Sequence, residues 1–128
     1  MTEHYPRVLS ATDDRGHAFT AVDGDFSFRP VDTGEELRPG DTVTFTLEAV
    51  DPKGRDVQWT IGIGSTSIEL PTVTGTSATV TWSVTDAAVR DDAAVVFQMS
   101  ALDTPYHRNG NYDEQIEFYY KVSPPLDA

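Results

Sequence analysis

The amino-acid sequence predicts an all-β fold, an antiparallel β-sandwich, and three observations carry that prediction. Apolar and polar residues alternate with a period of two through successive segments, which sends one set of side chains to a core and the other to solvent. Turn-forming residues separate those segments, and no long window carries a helical period. The 128 residues include no cysteine, so neither a disulfide framework, a thiolate metal site nor thiol catalysis is available. At this length one domain is the default, and folding buries roughly two-thirds of the chain's surface without such staples.

The first 38 residues are the least regular. Arg7–Ala11 and His17–Val22 flank Asp13-Asp14-Arg15-Gly16 as the arms of a hairpin, and Asp25–Arg29 alternates Phe26 and Phe28 with Ser27 and Arg29. These read as two or three short strands that either complete the sandwich or belong to a linker. Arg38-Pro39-Gly40-Asp41 then starts the regular part, residues 39–122. Thr42–Val50 sets Val43, Phe45, Leu47 and Ala49 against Thr42, Thr44, Thr46 and Glu48. Asp51-Pro52-Lys53-Gly54 is a turn with proline pre-set at its second position, joining this strand to the next as a pair.

Asp56–Ile61 sets Val57, Trp59 and Ile61 against Gln58 and Thr60, and ends at a turn, Gly62-Ile63-Gly64-Ser65. Ile68–Pro71 reads as an edge strand stopped by its proline. Ser77–Val84 points Ala78, Val80, Trp82 and Val84 inward and Thr79, Thr81 and Ser83 outward, a threonine face like that of the Thr42 strand that allows the two to be neighbours in one sheet. Val84–Asp91 has room for one helical turn with Asp86 as its N-cap. Ala93–Leu102 and Gln115–Val122 are the last two strands, with Val95, Phe97, Met99, Ile116, Phe118 and Tyr120 inward and Tyr119 outward. Residues 123–128, with consecutive prolines, form a tail.

From Pro39 to Val122 the chain resembles the immunoglobulin-like modules of the PKD, REJ and cadherin-like kind that occur in tandem in bacterial proteins. The residues that carry the resemblance are Pro39-Gly40-Asp41-Thr42-Val43-Thr44-Phe45, the turn Asp51-Pro52-Lys53-Gly54, Val57-Gln58-Trp59, and Ala78-Thr79-Val80-Thr81-Trp82. The Asp-Phe-Gly-Asp-Gly segment of PKD modules is missing after the first tryptophan strand, where Gly62-Ile63-Gly64-Ser65 stands. The resemblance implies an immunoglobulin-like sandwich of about seven to nine strands and a non-catalytic spacer or adhesive unit.

Charge and motifs narrow function further. The formal net charge is −12, from 9 basic and 21 acidic residues. That balance opposes nucleic acid and anionic membrane as partners, because phosphate binding needs basic patches. No segment approaches the roughly eighteen apolar residues of a membrane helix. His4, His17 and His107 have no Ser or Asp at a spacing that would orient a catalytic base, and Asp13-Asp14, Glu35-Glu36, Asp91-Asp92 and Asp113-Glu114 read as solvated turn acids. An enzyme is therefore not expected. No cofactor is implied; a weak structural calcium, from Asp23-Gly24-Asp25 with Asp13, Asp14 or Asp51, is the one ion the composition leaves open, although the alternating calcium loop is absent. Phe45, Trp59, Trp82, Phe97 and Phe118 fall on inward positions and form the expected core, so the two tryptophans read as packing and not as a sugar platform.

The best binding candidate is the loop 103–113, which groups Tyr106, His107, Arg108, Asn109 and Tyr112, residue types favoured in loop-based recognition. The same aromatics also suit a structural role, sealing the sandwich end. The expected partner is a protein or a neighbouring domain. Two alternatives stay in view: a carbohydrate-binding module, which calls for outward aromatics in a row, and a small stand-alone cytoplasmic accessory protein. Met1 as a native start predicts a cytoplasmic location, and an excised module predicts an extracellular or cell-surface one.

Overall fold

The computed structural model describes residues 6–20, 28–64, 68–102 and 112–126. These form nine strands: β1 (Arg7–Asp13), β2 (Ala18–Thr20), β3 (Phe28–Leu37), β4 (Thr42–Val50), β5 (Val57–Gly64), β6 (Glu69–Thr74), β7 (Ser77–Ser83), β8 (Arg90–Ala101) and β9 (Glu114–Val122). One sheet runs β2-β1-β4-β7 and the other β3-β9-β8-β5-β6. Their inner faces share one apolar core. With β4 beside β7 in one layer and β5-β8-β9 in the other, the neighbours are those of an immunoglobulin sandwich.

Alternation translates directly into burial. In β4 and β7 every second residue is buried, and the register sets Thr42, Thr44 and Thr46 opposite Ser83, Thr81 and Thr79 on the outer face. The Thr44 and Thr81 hydroxyls lie 3.1 Å apart. On the inner face Phe45 meets Phe97 and Phe118 edge-on, at ring separations of 5.0 and 5.3 Å, and Trp82 meets Tyr120 at 5.9 Å. Phe45, Trp59, Trp82, Phe97 and Phe118 are at most 1% exposed. Where an antibody domain has a disulfide, this sandwich has interlocking rings, each such pair adding about 0.5–1.5 kcal/mol beyond its buried area.

Five details differ from the sequence expectation. Gly62-Ile63-Gly64 is not a turn but the end of β5, because Ile63 continues the inward set and is 2% exposed. Pro71 does not stop β6, which passes through it on a sheet edge. Leu70 faces Ile61 while Val73 faces Trp59, so β6 carries one extra residue there as a bulge. The 3-10 turn Asp86–Ala88 has Thr85 at its N-cap position, with no side-chain cap bond, so Asp86 is not the cap. β4 and β5 flank the Asp51 turn but belong to different sheets. Finally, β3 pairs with β9 in parallel, so the sandwich is not purely antiparallel.

The order of the strands defines two poles. Arg7 lies opposite Val50, and Val57 opposite Ala101, at what we call the loop pole. Thr42 lies opposite Ser83, and Leu37 beside Val122, at the hairpin pole. The Pro39-Gly40 turn sits here, with Gly40 at a φ of +101° that only glycine adopts without strain and Asp41 N–H bonded to Arg38 O at 3.0 Å. Residues before 39 thus supply strands to both sheets.

Candidate functional site

Tyr106, His107, Arg108 and Asn109 lie outside the described residues. Their flanks, Leu102 and Tyr112, leave from the loop pole, where two buried acids hold the backbone. Asp113, fully buried, accepts the Ala101 N–H at 3.0 Å and gives its own N–H to Met99 O at 2.8 Å. Asp51 is gripped at both oxygens by Arg55, Nε at 2.9 Å and Nη2 at 2.8 Å, and also accepts the Lys53 and Arg55 N–H groups. The Arg55 guanidinium is the chief reason its carboxyl is held below the ordinary range. Tyr112 is half-buried. The pole is therefore a rigid base for whatever segment 103–111 carries.

At the hairpin pole the structure overturns the reading of two motifs. Asp13 is not a solvated turn acid: its side chain is fully buried, its Oδ1 accepts the Arg15 and His17 N–H groups, and its Oδ2 the Tyr120 hydroxyl at 2.7 Å. His17 does have an orienting carboxylate, since its Nδ1 lies 2.8 Å from Asp13 Oδ2. Burial works to raise the Asp13 pKa, and these bonds outweigh it and hold the carboxyl below its usual value. Burial and the Asp13 carboxylate together push the Tyr120 hydroxyl upward.

An oriented imidazole is half of a catalytic pair, but its other nitrogen faces a second carboxylate. His17 Nε2 lies 3.6 Å from Glu35, which in turn holds Arg15 at 2.5 Å. No hydroxyl or thiol is bonded to that nitrogen among the described residues. Glu35 and Glu36 also depart from the expected turn, because both stand in β3. Glu36 accepts the Ser123 hydroxyl, which is the first cause of its lowered pKa, and faces Arg38 at 3.6 Å. Asp13, Glu35 and Tyr120 come from β1, β3 and β9, so the network closes the side of the sandwich where the two sheets meet.

Asp13 and Asp51 stand at opposite poles, so they cannot share an ion, and Asp23-Gly24-Asp25 lies outside the described residues. Among the described residues no three acidic or histidine side chains converge as metal ligands, and no helix is long and apolar enough to cross a membrane.

The outer face of the five-stranded sheet holds a feature the sequence reading did not single out. Gln98 Nε2 donates to Gln115 Oε1 at 2.9 Å, Gln115 Nε2 to Glu117 Oε2 at 2.6 Å, and the Tyr119 hydroxyl to Glu117 Oε1. The bond to Glu117 and burial push the Tyr119 hydroxyl up to about 12. A cleft of about 570 Å³ opens beside Tyr119, bounded by Pro30, Asp32, Asp91, Asp92 and Lys121. A smaller one of about 340 Å³ lies over Gly62 and Gly64, whose missing side chains leave it open between Val96 and Ile68. All the ladder residues occupy outward positions of β8 and β9, and that alternation was the available signal for them.

Comparisons with protein-family models, with curated proteins and with solved structures find no match to this chain.

Proposed function

We propose that this chain is a non-catalytic immunoglobulin-like module of the PKD, REJ or cadherin-like kind, a binding or spacer unit for protein interaction or adhesion in a bacterial protein. The observation that carries the reading is the placement of the first and last strands. β1 starts at the loop pole beside Val50, and β9 ends at the hairpin pole beside Leu37. A polypeptide that enters at one pole and leaves at the other continues in a line, each nine-residue strand spanning about 30 Å. The segments Pro39–Phe45, Val57–Trp59 and Ala78–Trp82 support the kinship. A non-catalytic role is supported by the way each buried acid is taken up by backbone, Arg55, His17 or Tyr120. The acidic balance argues against nucleic acid as a partner.

Small-angle scattering from two copies fused in tandem through residues 123–128 tests this reading. The expected maximum dimension is about twice that of one copy, from the pole-to-pole strand span. A fusion that folds back to the length of a single copy would overturn the spacer role.

A carbohydrate-binding role is the second reading, favoured by the Tyr119 cleft. Tyr119 and Pro30 offer flat apolar walls, and Asp32, Asp91, Asp92 and Lys121 offer acceptors and a donor for hydroxyls. Calorimetric titration with a panel of neutral oligosaccharides should give binding that Tyr119→Ala abolishes. No binding across the panel, or binding indifferent to that substitution, would remove it.

A further inference from the structure

The two sheets have four edges, and three are closed to a further strand by local chemistry. β2 shows three residues, Ala18–Thr20, among the described residues. β3 carries Pro30, a bulge between Asp32 and Glu36, and the acids Asp32, Glu35 and Glu36. β6 carries Pro71 and its bulge. β7 has none of these devices: its seven residues, SATVTWS, are uncharged, contain no proline and keep an unbroken register on β4.

The hydrogen-bond phase of β7 is fixed at both of its ends. Ala49 N donates to Thr76 O at 2.8 Å, and Val84 exchanges bonds with the other end of β4, its N to Asp41 O and its O from Gly40 N, both at 2.9 Å. An antiparallel ladder uses alternate residues. Ala78, Val80 and Trp82 therefore direct their backbone groups to β4, and Ser77, Thr79, Thr81 and Ser83 direct theirs outward. All four are exposed, and their backbone N–H and C=O groups have no partner among the described residues.

Charge distribution says what fits there. Residues 57–85 hold one charged side chain, Glu69, so −11 of the net −12 lies elsewhere in the chain. Two copies, each strongly acidic, meet at this edge without bringing like charges together, and the remaining repulsion is screened over about 8 Å at physiological salt.

We propose that β7 is a homophilic edge: a second copy adds its own β7 antiparallel, merging two four-stranded sheets into one. A two-fold axis through Val80 sets Ser77 opposite Ser83 and Thr79 opposite Thr81 of the other copy. Residues with outward backbone groups then face each other, as hydrogen-bonded pairs require, and a slip by one residue breaks that match.

Sedimentation velocity across the micromolar to millimolar range tests the proposal, with a doubling of apparent mass expected as concentration rises. Thr81→Pro removes an outward N–H that β4 does not use, so circular dichroism should be unchanged while the dimer is lost. The charge variants Thr79→Lys/Thr81→Lys and Thr79→Glu/Thr81→Glu should each be monomeric and should dimerise when mixed, since position 79 faces position 81 of the other copy. That pair decides the matter even if the proline variant misfolds. A chain that stays monomeric throughout, a dimer indifferent to these variants, or charge variants that fail to pair on mixing would each overturn the proposal. So would capture of an unrelated extended peptide at β7 by a chain that never self-associates.

Discussion

Asp13 accepts bonds from two backbone amides, a tyrosine hydroxyl and an imidazole while its side chain is fully buried. Its pKa is lowered in the folded chain, so the unfolded chain, near 3.9, takes up the proton first as pH falls. The stability it contributes is present above that value and is lost on going below about pH 4. Asp13→Asn should lower the urea midpoint at pH 7 by the equivalent of about 1–3 kcal/mol and flatten the fall between pH 4 and pH 2. Asp51, also lowered, leaves part of that fall in place. The tryptophans give a second residue-scale test. Trp59 Nε1 donates to Gly75 O at 2.8 Å, whereas Trp82 Nε1 is buried with no partner among the described residues. Thermal unfolding should show Trp59→Phe costing about 1–3 kcal/mol more than Trp82→Phe, the penalty of an orphaned carbonyl.

At the scale of elements, β4 and β7 were legible because each has one buried face and no internal glycine or proline. β5 was legible only to Ile61, since glycine inside a strand pattern reads as a turn. Ile63 distinguishes the two readings: Ile63→Ala should cost about 2–5 kcal/mol, as at a core position, and a near-neutral melting temperature would return the segment to a loop. β3 was missed beyond Arg29 because Pro30, Gly34 and the acids lack alternation, and its place comes from parallel pairing with β9 far along the chain. The Asp13 network was hidden for the same reason, its Tyr120 bond joining residues 107 positions apart. The outer ladder was within reach, as Gln98, Gln115, Glu117 and Tyr119 all stand on outward positions of recognised strands.

Across the whole molecule, the sheets divide charge unevenly. The β1-β2-β3-β9 side carries the ion pairs Arg15–Glu35 and Arg38–Glu36, and the β5-β6-β7 side holds only Glu69. Raising salt should therefore change thermal stability little, because exposed pairs are worth about 0–1 kcal/mol each, while strengthening contact between copies by screening. A melting temperature that dropped steeply in salt would show that the ion-paired side holds the fold together.

The opposite-pole geometry has a mechanical consequence. Tension applied between the start of β1 and the end of β9 runs along the strands, so the bonds of β1 to β4 and of β9 to β3 and β8 lie across the pull and break together in shear. The parallel β3–β9 pair resists in the same sense, and Arg38 bonded to Pro124 O at 2.7 Å fastens the last residues to it. Pulled from these ends, the sandwich should give way at a higher force than when pulled from residues 37 and 122, neighbours at one pole that would part like a zip.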